Sequence, residues 1–275
     1  MDNLFSYRIG AVFKPSENTS LYIATGNSKN PSQAAVDGAC TANNCNLAPE
    51  TTRTYEIGAK ADLFDKKLLV SVALFRNDRN SIRLNSNDPI FPEQRLDGRQ
   101  RVQGISFGAS GNITENWTIS ANYMYLESEV LQGVSDFCLA NPGAANCGNS
   151  AAFPDPSRGS QLQNTPRHSG SVFTSYRFDF GLELGYGINY QGKFLLNFPT
   201  VAELSANTYT PYFVPSYTIH RFMASYPITD RLMAQVNVQN FTNEKYVTTV
   251  RNQLGGSWAQ PGPTRQAVFS LSYSF

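Results

Sequence analysis

Ten connections join eleven period-two segments in this chain, and they alternate between tight turns and loops of roughly twenty residues or more. The tight ones are Lys14-Pro15-Ser16-Glu17-Asn18, Phe64-Asp65-Lys66-Lys67, Gly111-Asn112-Ile113-Thr114-Glu115-Asn116, Asp179-Phe180 and Pro227-Ile228-Thr229-Asp230, all rich in turn-forming residues. The others, about 29–52, 80–99, 129–167, 192–216 and 240–264, carry Gly, Pro, Asn and Ser. Loops above about 15 residues are uncommon in compact domains. Five of them, each separated from the next by a hairpin turn, are expected of a transmembrane barrel with brief turns on one side and extended loops on the other.

The segments are strands. They run over roughly 4–13, 19–28, 53–63, 68–79, 100–110, 116–128, 168–178, 181–191, 217–226, 231–239 and 265–275. In the last, Ala267, Phe269, Leu271, Tyr273 and Phe275 fall on one face and Gln266, Val268, Ser270, Ser272 and Ser274 on the other. Trp117, Ile119, Ala121, Tyr123 and Tyr125 oppose Thr118, Ser120 and Asn122 in the same way. The polar faces hold Gly, Ser, Asn and Gln, which suits a lumen better than the charged surface of a soluble sandwich. Helical periodicity is absent, which removes βαβ enzymes and dinucleotide folds.

Composition limits the remaining choices. Lys plus Arg is 22 against Asp plus Glu 21, so no charge excess points to nucleic acid. No apolar run reaches 18 residues, so membrane-spanning helices are excluded, while alternating barrel strands average to a low hydropathy such as the −0.33 found here. Phe 18, Tyr 14 and Trp 2 supply either the aromatic girdles of a barrel or the core of a soluble sheet. Met1-Asp2-Asn3 leads directly into the first strand without a secretory signal, so export information is expected upstream if the protein is exported.

Topology exposes a shortfall. Eleven antiparallel strands form an open sheet, whereas bacterial barrels have even strand numbers. Two sheet edges in lipid, each with about five unpaired backbone groups, would cost tens of kcal/mol. The expectation is that residues 1–275 are the C-terminal portion of a longer barrel.

Pro49-Glu50-Thr51-Thr52-Arg53-Thr54-Tyr55-Glu56-Ile57-Gly58-Ala59-Lys60 resembles the Pro-Glu…Tyr-Glu-x-Gly-x-Lys strand of TonB-dependent outer-membrane receptors. Asn240-Phe241-Thr242-Asn243-Glu244-Lys245-Tyr246, Gly262-Pro263-Thr264-Arg265 and Pro166-Arg167-His168 resemble further motifs of that family, in the right order before Phe275. The resemblance, closest to the ferric-siderophore branch, implies an all-β transmembrane antiparallel barrel of 22 strands with an N-terminal plug. On this resemblance about eleven of those strands are expected within residues 1–275, with the plug and the first half of the barrel expected to lie outside them. It implies location in the Gram-negative outer membrane with a periplasmic C-terminus. The implied partners are a ferric siderophore, membrane lipid and lipopolysaccharide, the TonB complex through the missing N-terminal part, and the barrel-assembly machinery. That machinery would read the last strand through Phe269, Leu271, Tyr273 and Phe275. The alternative function is a passive porin or structural barrel without energy coupling; a soluble secreted sandwich is a third reading.

Four cysteines lie in long loops, and the pairs Cys40–Cys45 and Cys138–Cys147 read as disulfides of an exported protein. A four-thiolate metal site is the rival, but the spacings are not those of zinc ligands. No cofactor, catalytic or metal motif appears, and neither His168 nor His220 has a nucleophile beside it, so no enzyme activity is expected. An anionic, aromatic-bearing ligand would be met by Arg79, Arg83, Arg95, Arg99 and Arg101 around the second long loop, and by Tyr209, Tyr212 and Phe213 in the fourth. The plainer reading is that these residues meet lipopolysaccharide phosphates or solvent.

Overall fold

The computed structural model describes residues 4–30, 49–90, 94–253 and 256–275. One antiparallel sheet dominates it. Its strands are β1 (Arg8–Ser16), β2 (Thr19–Asn30), β3 (Glu50–Leu63), β4 (Leu68–Asn85), β5 (Gln94–Asn112), β6 (Trp117–Gln132), β7 (His168–Arg177) and β8 (Glu183–Gln191). The fourth long loop then contributes β9 (Phe194–Leu195), helix α2 (Val201–Ser205) and β10 (Phe213–Val214), before β11 (Tyr217–Thr229) and β12 (Leu232–Gln239). The fifth holds β13 (Val247–Gln253) and β14 (Gly256–Pro261), and β15 (Gln266–Tyr273) follows. Helix α1 (Asp136–Ala140) lies in the third. The main sheet has eleven strands in the order β1-β2-β3-β4-β5-β6-β7-β8-β11-β12-β15, matching the eleven segments read from the sequence. Among the described residues β1 and β15 are its open edges.

Register turns the period-two pattern into two chemically distinct faces. Ala11, Ile23, Ile57, Leu74, Ile105, Tyr125 and His168 stand side by side across seven strands. Ile23, Ile57 and Leu74 are 60%, 57% and 51% exposed, although they form the middle of this row. A polar row three residues nearer the tight turns on β2 to β6 is Ser20, Lys60, Ser71, Gly108, Asn122, Ser171 and Asn189. A soluble sheet buries its apolar face; here that face is the exposed one, as lipid contact requires. Along β6, Trp117 and Tyr125 bracket Ile119 and Ala121. Eight residue steps of about 3.4 Å, tilted about 40°, span about 21 Å, close to the ~25 Å apolar band of a membrane barrel.

Strands β4 to β6 extend beyond the expected limits, so the second long connection shrinks to residues 86–93. The mostly polar segment Arg79–Asn85, broken only by Ile82 and Leu84, hides this extension in the sequence, because main-chain pairing continues through register shifts between Arg79, Ile82 and Leu84. The expectation that the chain lacks helices is corrected by α1 and α2, each one turn long. Ser135 caps α1 through its hydroxyl, and Thr200 with Glu203 forms a reciprocal capping box on α2. Local caps suffice to make a single turn without amphipathic periodicity. Buried apolar side chains are concentrated in these loops: Cys138, Cys147, Phe194, Leu195 and Val214 are each at most 6% exposed. The long-loop end is therefore a packed layer on the sheet.

Candidate functional site

The long-loop end contains three polar assemblies. The first is built on Glu50, the first residue of β3, which is 7% exposed. Its carboxylate accepts from Arg79 Nη2 at 2.6 Å and from the Arg83 backbone N–H at 3.2 Å. Burial pushes this carboxyl up, but the hydrogen bonds and charges of Arg79 and Arg83 outweigh burial and hold it below the ordinary glutamate range. Arg79 stands opposite Thr52 and Gln100, on the polar-face side of the sheet.

The second assembly divides the expected arginine set. Arg101 is opposite Asp78, which is opposite Arg53, in a row that continues the apolar face upward past Tyr55 and Leu74. Asp78 bridges two guanidiniums, accepting from Arg101 Nε at 2.7 Å and from Arg76 Nε at 2.9 Å. Arg101 thus stands on the opposite side of the sheet from Arg79. Arg99 is exposed and pairs in register with Gln132, while the side chain of Arg95 lies outside the described residues.

The third lies in the fourth long loop. The Tyr209 hydroxyl donates to the Asn197 carbonyl at 3.0 Å, and Asn197 Oδ1 accepts from the Tyr212 N–H at 2.7 Å. Burial and then the charge of Glu203 raise the Tyr209 phenol above its ordinary range. Lys193 Nζ sits 4.7 Å from the centre of the Phe213 ring, a cation–π contact, and Tyr212 is 62% exposed. Asn197 and Lys193 were not singled out in the sequence; nothing in their spacing marks them.

Two further features support the loops. Cys138 and Cys147 form a disulfide across the third loop. The pair Cys40–Cys45 lies outside the described residues. The Asn240 side chain, 2% exposed, donates to the Glu244 and Pro263 carbonyls at 2.9 and 3.0 Å and accepts from the Glu244 N–H at 2.8 Å. Asn243 Oδ1 accepts from the Arg265 N–H at 3.2 Å, and the Tyr246 ring fills the space where a side chain on Gly262 would stand. The sequence motifs Asn240–Tyr246 and Gly262–Arg265 are two halves of one clasp that closes the last long loop onto β12 and β15.

Both histidines are on the apolar face. His168 Nδ1 pairs with the Tyr123 hydroxyl and His220 Nδ1 with that of Tyr186, each at 2.7 Å. They belong to the aromatic fringe, and among the described residues no group of three or more His, Cys, Asp or Glu is placed to hold a metal ion.

The family description "TonB dependent receptor-like, beta-barrel" matches residues 1–241. The chain belongs to this family. A probable TonB-dependent siderophore receptor, PiuA of Acinetobacter baumannii, is 29% identical over 98% of this chain, and a probable TonB-dependent receptor, BfrD of Bordetella pertussis, is 29% identical over 99%. The crystal structure of the siderophore receptor PiuA superimposes with a TM-score of 0.79 at 28% identity, covering 98% of this chain and 35% of that one. The closed form of the ferric-catecholate import receptor Fiu of Escherichia coli shares the fold, with a TM-score of 0.76 at 23% identity over 98% of this chain and 35% of that one. The chain spans about a third of the length of the curated relatives it matches, 34% of both PiuA and BfrD. These relatives are receptors by name. In this TonB-dependent receptor chain, the apolar face is the lipid face and the polar face lines the lumen.

Proposed function

We propose that this chain forms the C-terminal part of an outer-membrane receptor that takes up ferric siderophores with energy from TonB. The observation that carries the reading is the lumen-side Arg79, held by buried Glu50 at the loop end of a receptor-family barrel. A fixed guanidinium at the mouth of a polar lumen suits an anionic iron chelate. Arg83 near the end of β4 and Arg99 near the start of β5, with Tyr209, Tyr212 and Phe213 of the fourth long loop, would complete a cationic and aromatic mouth; Arg101 would serve the outer surface instead, and the side chain of Arg95 lies outside the described residues.

The open sheet supports a longer barrel. With an odd number of antiparallel strands, β1 and β15 run in the same direction, so an odd number of further strands closes the circle with every pair antiparallel. In this arrangement the long loops are extracellular, the turns periplasmic, and the coupling to TonB lies outside residues 1–275. The row Phe269, Leu271, Tyr273 and Phe275, 55% exposed or more throughout, would present the last strand to the assembly machinery before closure.

The test is uptake of radiolabelled iron by iron-starved cells expressing the full-length gene, with a panel of catecholate and hydroxamate siderophores. Receptor function predicts saturable uptake of at least one chelate, abolished by loss of TonB and weakened by Arg79→Gln. Uptake that is non-saturable and independent of TonB would establish the passive porin instead.

A further inference from the structure

Arg221 stands on the polar face of β11, opposite Gly187 of β8 and Gln239 of β12. It is half-buried and makes no ion pair among the described residues. The rest of its row, Phe173, Gly187, Gln239 and Gln266, is uncharged, as are the flanking positions Asn189 and Asn237. The acidic residue on the polar face of β8 is Glu183, which lies opposite Ser225. That is four residues along β11 from Arg221, or about 13 Å, and Glu183 is already paired with Arg177 at 3.0 Å.

The guanidinium is held in one pose. Nη2 donates to Asn189 Oδ1 at 3.2 Å, and the guanidinium carbon lies 5.7 Å from the centre of the Phe173 ring, a cation–π contact. The side chain lies over Gly187, where a Cβ would come within 2.5 Å of Arg221 Nε and 3.0 Å of Phe173. A Cβ at Gly185 would meet Phe173 and Met223 at 2.7 and 3.0 Å. The two glycines of β8 thus form a trough in which arginine, phenylalanine and methionine lie. Nε is buried there without a hydrogen-bond partner among the described residues. A guanidinium has five N–H donors, so both Nη1 protons and one on Nη2 are left without a partner among the described residues. Arg221 lines a cavity of about 310 Å³ together with Phe173, Met223, Asn237, Gln239 and Val268. Asn237 Oδ1 accepts from Gln235 Nε2 at 3.2 Å, which leaves the Asn237 amide N–H groups as further donors.

We propose that Arg221 is a lumen site for a carboxylate, which pairs with the Nη fork while Asn237 and Gln239 donate to its oxygens. A half-buried cation without a counter-charge is costly, and a carboxylate matches the fork in both charge and shape. Met223 and Val268 suit the apolar stem that carries it. Two sources can supply the group: an acidic side chain from a part of the protein outside residues 1–275, or a solute in the lumen. The site rests on the polar face lining a lumen and not on which solute is transported.

Footprinting of arginines with phenylglyoxal, read by mass spectrometry on the full-length receptor in mild detergent, tests the site in unaltered protein. Exposed Arg231 gives the reference rate. An internal carboxylate slows Arg221 about tenfold or more relative to Arg231 at rest, and a solute site does so only once citrate is added. A smaller difference both with and without citrate overturns the proposal. Two variants separate charge from mere cover. With an internal source, R221Q raises the unfolding equilibrium constant of the full-length protein about tenfold or more; with a solute source it weakens citrate binding by a similar factor. R221K recovers part of the loss in either case, because it keeps the charge. R221Q equal to wild type in both readouts, or R221K no better than R221Q, overturns the anion assignment. If the variants fail to show heat-modifiable migration, the footprint of the wild-type protein still decides. Uptake of radiolabelled iron by wild-type cells reads the transport proposal separately.

Discussion

Replacing Asn240 by Ala will open the last long loop while leaving the sheet intact. The side chain is almost fully buried and makes three hydrogen bonds, two to carbonyls and one from an amide. Each contributes about 1 kcal/mol net, and the partners left behind are buried backbone groups. Asn240 also has φ 49°, a left-handed conformation that costs alanine about 1 kcal/mol. The sum is about 4 kcal/mol, or nearly three orders of magnitude in the opening equilibrium. Asn240→Gly separates the two contributions: it loses the same hydrogen bonds but tolerates the backbone, so it costs about 3 kcal/mol. Hydrogen exchange at Glu244 and Gly262, whose amides are bonded to Asn240 Oδ1 and the Tyr246 carbonyl, reads the opening directly. The expected order of protection is wild type, then Gly, then Ala, with amides in β11 and β12 unchanged. Exchange in the Ala variant within a few-fold of wild type, or a Gly variant more open than Ala, would refute the clasp.

Three other outcomes follow from the same structure. Glu50 has a depressed folded-state pKa, so its contribution is present above the unfolded value of about 4.3 and is lost as pH falls through the folded value; acid unfolding of the 50–83 contact should steepen below about pH 4, and Glu50→Gln should abolish that dependence. Cys138→Ser/Cys147→Ser removes a crosslink over a sequence separation of 9, worth about 2.5 kcal/mol, and should speed proteolysis within 133–167 without altering heat-modifiable migration. Ile105→Arg, on the lipid face, should destabilise the membrane-inserted protein by about 2–4 kcal/mol in a denaturant titration, whereas Ser106→Arg, on the neighbouring polar face, should change it far less.

The strands and their order were legible because lipid and lumen impose opposite chemistry on alternate residues, and that pattern survives in segments such as Trp117–Tyr125. The facing of the loop-end arginines was not. Arg79 and Arg101 both look like basic residues flanking one loop, and only the register puts them on opposite sides of the sheet; the shifts near Arg79 and Arg99 break the alternation beyond them. The partner that fixes Arg79 is Glu50, 29 residues away, which no local pattern connects to it. The Asn240 and Gly262 motifs were visible as a resemblance, but their mechanism is a contact between segments 23 residues apart. The short pairs β9–β10 and β13–β14 left no readable period, since two-residue strands have none and β13–β14 lies within a polar, Gly-containing loop.

The central claim is that this sheet stands in a membrane with its apolar face in lipid and its polar face lining a lumen. Spin labels at cysteines replacing residues 119 to 124 of β6, in membrane-embedded full-length protein with the native cysteines changed to serine, test it residue by residue. Labels at Ile119, Ala121 and Tyr123 should be relaxed by dissolved oxygen, and those at Ser120, Asn122 and Met124 by a water-soluble nickel chelate. A pattern without period two, or one with the two sets exchanged, would contradict the account.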